Sequence, residues 1–294
     1  MEERKTITAA DGARIVYWIA RCDRPGAPLL VFLHGAASNH TRWSEILRIS
    51  SLHRACDTMR PDLRGNAESM WRGRLDLDVW ARDVVAILDA EAGHRAVLVG
   101  HSLGAQIALQ VAWRWPERVQ ALILIDPVFP HTLRGGRRLL WRLDSLFRLL
   151  VLLIRLFNAC GLGRRKFPAR DLEELDRNTR RELERSGDPG HLARKYSSLR
   201  HILPYTPSAN YLQQLLATVQ PSVPPAQITL PILAMLSTGT SIASFHTLKR
   251  EVERFPHAES VSIQADHWPL TENPDQVRLM LEQWLVSRGL LRLS

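Results

Sequence analysis

The stretch AVLVGHSLG, Ala96 to Gly104, decides how the rest of the chain is read. Four apolar residues run into Gly100, and from Leu103 the apolar spacing turns helical and continues to Trp115, where Pro116 closes it. A buried strand, a tight turn and a helix therefore follow one another without a linker. G-x-S-x-G in that context places Ser102 on a sharp turn at the carboxyl end of the strand. Gly100 and Gly104 tolerate the strained backbone because they lack a β-carbon that would clash. The hydroxyl is pushed outward, and the first amides of the helix point at whatever it attacks. Without the flanking strand and helix the same five letters would say little. With them, Ser102 is expected to be a nucleophile.

Working outward, the same alternation recurs. ARIVYWIA (Ala13–Ala20) reads as a strand after an Asp-Gly turn, and PLLVFLHG (Pro28–Gly35) as an apolar run ending in a Gly-containing loop. A helix is expected near Thr41, and ACDTMRPDLRG holds a short strand and a turn. LDLDVWARDVVAILDAEAG has helical spacing with a stop at Gly93, and VQALILID (Val119–Asp126) is another strand. From Pro127 to about Pro225 the strand pattern vanishes, and the chain becomes helical, Arg-rich and punctuated by proline. The alternation then resumes with strands at Thr229–Leu236 and Glu259–Gln264 and helices around Phe245–Phe255 and Pro274–Val286. Repeated βα units with all-apolar strands predict an α/β fold: a mostly parallel sheet covered on both faces, with the middle segment inserted into it. The expected division is a core from 1–126 and 226–294 and a helical insertion at 127–225.

Composition agrees with a large buried core: 45% of the 294 residues are hydrophobic and 23% charged. The formal charge of +9 is not spread evenly. His131 to Arg200 holds 17 Lys or Arg against 8 Asp or Glu, while the remainder has 22 of each. A locally basic insertion follows, and a protein-wide nucleic-acid surface does not. Cys22, Cys56 and Cys160 are odd in number and widely spaced, which argues against a disulfide framework or a zinc site. MEERKTITAADG lacks a signal-peptide core, and no uncharged apolar run approaches the ~20 residues that span a bilayer, so a cytoplasmic location is the expectation.

HGAASN (His34–Asn39), DLRGNAES (Asp62–Ser69), GHSLG, VQALILIDP and DHWPLTENP (Asp266–Pro274) stand in an order and spacing that resembles the α/β-hydrolase superfamily. The resemblance covers both flanks of the insertion, roughly two-thirds of the chain. It implies an α/β-hydrolase fold with a helical cap and hydrolysis of carboxylic esters through an acyl-serine. It implies no metal and no organic cofactor. Ala36, after the His-Gly pair, and Leu103, after the nucleophile, match the two backbone donors of the oxyanion hole. His267 matches the late histidine that takes and returns the serine proton. Trp268 beside it lines the acyl pocket or simply packs. His34 is expected to brace its loop, and His101, at the variable position of the motif, has no required role. Serine at the nucleophile position departs from haloalkane dehalogenases and epoxide hydrolases, whose pattern has aspartate there. Thioesterase, lactonase, amidase and perhydrolase chemistry would use the same groups.

One element of the pattern is missing. Members of the superfamily usually carry an acid as Gly-x-x-Asp after the strand that begins here at Thr229, yet PILAMLSTGTSIAS (Pro231–Ser244) has none, and the usual position falls at Thr240 or Ser241. Some members, the haloalkane dehalogenases among them, carry the acid at the end of the preceding strand, which matches Asp126. Parallel strands lie ~4.8 Å apart, so a carboxylate on one can replace one on the next. Asp266 is a weaker substitute, since adjacent side chains on an extended segment point apart. A lid acid, or no acid and hence a weak enzyme or a hydrolase scaffold that binds a hydrophobic ligand or a lipid surface, complete the alternatives.

Within the insertion, RRLLWRLDSLFRLLVLLIRLFNAC (Arg137–Cys160) places Arg142, Ser145, Arg148 and Arg155 near one helical line among apolar residues. Three uses fit this amphipathic helix: a greasy cap over the site, an interfacial helix on anionic lipid, or a contact between subunits. The cap use implies a hydrophobic acyl or aryl ester as substrate. Arg137 and Arg138 lie at one end of the helix and Arg164, Arg165 and Lys166 beyond the other. The resemblance favours the cap use, because the insertion occurs where the superfamily puts its cap, and membrane contact can coexist with it.

Overall fold

The structure is a computed structural model that describes residues 2–91, 95–133, 142–164, 166–186, 188, 191–221, 223–239 and 243–291. Gly93, Arg137, Arg138, Arg165, Thr240 and Ser241, named above, lie outside the described residues.

The chain opens with two strands, β1 (Glu2–Thr8) and β2 (Arg14–Ala20), and continues through β3 (Leu29–Leu33), α1 (Ser44–Ile49), β4 (Asp57–Pro61) and α2 (Leu77–Ala90). The quoted stretch becomes β5 (Ala96–His101) followed at once by α3 (Leu103–Arg114), and β6 (Val119–Ile125) comes next. Five helices then run without a described strand: α4 (Asp144–Ala159), α5 (Leu172–Ser186), α6 (His191–Tyr196), α7 (Leu199–Ile202) and α8 (Ser208–Thr218). The core resumes with β7 (Ile232–Ser237), α9 (Phe245–Val252), β8 (Ala258–Ile263), α10 (Pro269–Glu272) and α11 (Pro274–Ser287).

The strands form one sheet in the order β1-β2-β4-β3-β5-β6-β7-β8. β1 and β2 pair antiparallel, as do β2 and β4, and the other neighbours are parallel. The central strands read as unbroken apolar runs because both faces are covered. Leu98 of β5 and Ile232, Ala234 and Leu236 of β7 belong to one core, with α2, α3 and α9. Val97, Val99, Leu233 and Met235 belong to the other, with α1 and α11. Burying each such aliphatic side chain contributes roughly 1.5–3 kcal/mol before entropy is counted.

The hydrophobic pattern gives no sign of β1. Its sequence EERKTIT is mostly exposed, and it pairs with β2 from Glu2 opposite Ala20 to Thr8 opposite Arg14. It is an edge strand, and charged residues on an edge discourage pairing with other chains. β7 starts at Ile232 and not at Thr229, and β8 is only partly buried because it forms the opposite edge.

The turn after β5 depends on the absence of two β-carbons. A Cβ on Gly104 would sit 2.1 Å from the Leu33 carbonyl oxygen, and one on Gly100 would sit 2.4 Å from the Gly104 oxygen. These contacts are with main chain, so no rotamer change relieves them. Gly104→Ala is therefore expected to destabilise the fold by about 1–3 kcal/mol or more. Urea unfolding of the variant beside the parent protein measures this, and equal midpoints would contradict the packing argument.

Candidate active site

Ser102 lies between β5 and α3 with φ 53° and ψ −114°, a left-handed conformation that an L-residue holds only when its surroundings impose it. Its N–H donates to the Ile125 carbonyl at 3.0 Å, so the turn is tied to the end of β6. Its hydroxyl faces His267 Nε2 at 3.1 Å, and His267 Nδ1 donates to Asp126 Oδ2. All three side chains are buried.

Asp126 also has a positive φ, 46°. Its N–H donates to the Met235 carbonyl at 2.8 Å, and its Oδ1 accepts from the Ser237 N–H at 2.9 Å. Ser237 belongs to the stretch that lacks an acid. That segment supplies a main-chain donor to a carboxylate on the neighbouring strand. His267 turns its Nδ1 across the sheet to Asp126 and not to Asp266 beside it. The loop carrying His267 is shaped by Glu272, which accepts from the N–H groups of Asp266, His267 and Trp268. This arrangement can pass the serine proton to Nε2 and stabilise the resulting imidazolium.

Ala36 lines the cleft in front of Ser102, and Leu103 opens α3. The amides of both lack a hydrogen-bond partner among the described residues. Ala37 next to them has φ 51°, and its N–H donates to Gln214 Oε1 at 2.6 Å. Gln214, fully buried on α8, donates in turn to Asn66 Oδ1 at 3.0 Å. An insertion residue thus fixes the loop beside the nucleophile. Neither is marked by a motif: Gln214 acts on a loop far away in the chain, and Glu272 on main-chain N–H groups four to six residues before it.

His34 braces its loop as expected: Nδ1 donates to the Gly35 carbonyl at 2.8 Å and Nε2 accepts from the Leu63 N–H at 2.9 Å. His101, expected to have no required role, donates from Nε2 to the His267 carbonyl at 3.0 Å and so links the nucleophile turn to the base. Burial pushes His34 down to about 4 and His101 down to about 3.

The cleft above Ser102 is walled by α5 to α8 of the insertion and by Trp268. Trp268 packs its ring 5.5 Å from that of Tyr196. Leu172, Leu175, Ile202 and Leu215 give the wall an apolar part, and Arg42, Arg170 and Lys195 give it a basic part. Among the described residues no aspartate or glutamate lines it. Residues 142–164, which include α4, are also absent from the lining. The amphipathic helix is therefore not the roof of the cleft, because its apolar face points elsewhere.

A model of the alpha/beta hydrolase family matches residues 30–278. A putative esterase/lipase of Haemophilus influenzae is 31% identical over 99 residues, 34% of each chain. A 2-hydroxymuconate semialdehyde hydrolase of a Pseudomonas strain is 35% identical over 113 residues, 36% of this chain and 40% of that one. The matches to these curated relatives span only about a third of their length. A hydrolase from Pseudomonas aeruginosa superposes over 96% of this chain and 98% of its own, with a TM-score of 0.70 at 21% identity.

The two buried histidines set an acid limit to stability. Each has a folded-state pKa below the ordinary value of 6.5, so its contribution is complete above that pH. The contribution is lost as pH falls towards 4 or 3, by about 1.4 kcal/mol per pH unit for each group. Urea unfolding at pH 7.5, 6.0 and 5.0 is expected to show this fall. His101→Gln, which keeps a donor but cannot be protonated, should fall less steeply. Identical slopes would contradict the assignment.

Proposed function

The chain belongs to the alpha/beta hydrolase family, and from that premise we propose that it is a serine hydrolase of carboxylic esters. The observation that carries this reading is the line of contacts from the Ser102 hydroxyl through His267 to Asp126. Ser102 Oγ attacks the ester carbonyl carbon while its proton passes to His267 Nε2. Negative charge gathers on the former carbonyl oxygen, where the amides of Ala36 and Leu103 receive it; removing one such donor typically costs about 10²–10³ in rate. The protonated His267 returns its proton to the leaving alkoxide, and an acyl-serine remains. A water molecule deprotonated by His267 then attacks the acyl carbon and releases the acid. Asp126 holds the His267 ring and stabilises its charged form throughout. The likeness to a putative esterase/lipase supports this choice within the family.

The cleft argues for a particular substrate. Asp176 offsets the charge of Arg42, and Glu182 that of Lys195. Arg170 has no carboxylate partner among the described residues; it donates to the His201 carbonyl at 3.0 Å and lies over the Tyr205 ring at 4.6 Å. Burial pulls its pKa below the ordinary value, so an anion beside it would relieve a real cost. An ester with an apolar chain and an anionic end fits both parts of the wall, and fits better than one that is apolar throughout.

Incubation with 4-nitrophenyl butyrate and a fluorophosphonate probe tests the chemistry. Turnover and labelling are both expected to vanish in Ser102→Ala. Absence of either in the parent protein would favour a hydrophobic-ligand binder that keeps the scaffold. Asp126→Ala should lower kcat by about 10⁴-fold, and Asp266→Ala should leave it within the same order of magnitude. Equal losses would remove Asp126 from its role.

The substrate class is read by comparing monoethyl adipate with ethyl hexanoate. Arg170→Gln should raise KM for the anionic ester by about 10–100-fold, the worth of one charge-assisted hydrogen bond, and leave the neutral ester unchanged. An equal effect on both esters would show that Arg170 only shapes the wall.

A further inference from the structure

The outer surface of α4 is apolar where an amphipathic helix normally turns its apolar face inward. Leu146, Leu149, Leu150, Leu152, Leu153, Leu156 and Phe157 are each 42–60% exposed, and Leu162 beyond the helix end is 75% exposed. Among the described residues these are eight of the eleven exposed large hydrophobics, so the patch is concentrated in one place. At 100° per residue, the seven on the helix fill an arc of about 160° opposite Val151, its buried residue.

The helix is fixed in that orientation from below. Phe147, Val151 and Ile154 pack with Ala209, Leu212 and Leu216 of α8. Arg155, on the inner side, donates to the Gly73 carbonyl and, at 3.0 Å, to Gln213 Oε1. The polar line expected to face water thus reaches partly into the molecule, and the leucines face out. A patch of this size on a monomer marks an interaction surface.

Charge selects what covers it. The described residues from 142 to 166 carry Arg142, Arg148, Arg155, Arg164 and Lys166 against a single acid, Asp144. All of these cations except Arg155 are exposed. Exposed Arg72 donates to the Arg164 carbonyl and so adds a further cation to this rim. A second copy docked face to face would bring basic rim against basic rim. No helix among the described residues is long and apolar enough to cross a membrane. A 16-residue helix, ~24 Å long, with a wide apolar arc and a basic border is suited to lie in the plane of a bilayer surface.

We propose that α4 docks the protein onto an anionic lipid bilayer, its leucine face entering the boundary between headgroups and acyl chains while the rim cations meet the headgroups. The proposal does not depend on the catalytic reading, since Ser102 plays no part in it.

Cosedimentation of the full chain with phosphatidylcholine vesicles, and with vesicles that also contain phosphatidylglycerol, tests it. Binding is expected to favour the anionic vesicles and to weaken as salt rises, because the Debye length shortens from ~10 Å at 0.1 M to ~3 Å at 1 M. The double variant Leu149→Glu/Leu153→Glu should bind at least about tenfold more weakly with an unchanged thermal unfolding profile, and Ser102→Ala should bind like the parent. The salt series on the parent protein keeps the test decisive if the double variant does not fold. Failure to bind anionic vesicles at low salt would overturn the proposal. So would full binding by the folded double variant, or a dimer in sedimentation velocity that this variant dissolves while vesicles remain unbound.

Discussion

The site rests on the position of one carboxylate. Asp126 stands just past β6 in a left-handed conformation, and main chain holds it at both ends: its N–H donates to Met235 and its Oδ1 accepts from Ser237. Its other oxygen orients His267, and His267 faces Ser102. Ser102 is tied back to the same strand end through the Ile125 carbonyl. The ends of β5, β6 and β7 thus form one hydrogen-bonded platform from which the reactive groups project. Ser102 and Asp126 on this platform, and Ala37 in the loop after β3, all take positive φ. Each such residue costs of order 1–3 kcal/mol, which the packed sheet below it offsets.

Buried amides join α8 to the core, and ion pairs of Arg42 with Asp176 and of Arg180 with Glu45 join α5 to it. Asn210 donates to the carbonyls of Gly65 and Trp71, Gln213 accepts from the Leu75 N–H, and Gln214 spans Ala37 and Asn66. These contacts are directional, so they set where α8 sits as well as how firmly. An apolar joint of the same area would slide more readily. The same helix then carries α4 on its outer side, so the exposed leucines keep a fixed relation to the cleft.

How much of this is legible in sequence depends on the range over which each residue acts. Ser102 is legible because its strand, turn and helix are contiguous, and His267 because motif and order mark it. Asp126 is legible only by contrast, since an aspartate at a strand end is unremarkable until the neighbouring loop is seen to lack one. β1 has no apolar alternation because an edge strand buries little, and pairing by main chain leaves no trace in side chains. Gln214 is silent because its partners lie far away in the chain, and Glu272 because bonds to the N–H groups of its own loop leave no pattern in side chains. The α4 sequence shows an amphipathic helix plainly, but periodicity cannot say which face meets the protein. That choice is made by α8 and by Arg155, through contacts that no local pattern encodes.

The support beneath Asp126 has a consequence for how this chain tolerates change. Both groups that position the carboxylate, the Met235 carbonyl and the Ser237 N–H, belong to the backbone of β7. Replacing the Ser237 side chain leaves its N–H in place, with proline as the exception because it removes that donor, whereas residues 232–236 are held by packing in the two cores. A strand whose main chain holds its neighbour's carboxylate needs no acid among its own side chains at that place.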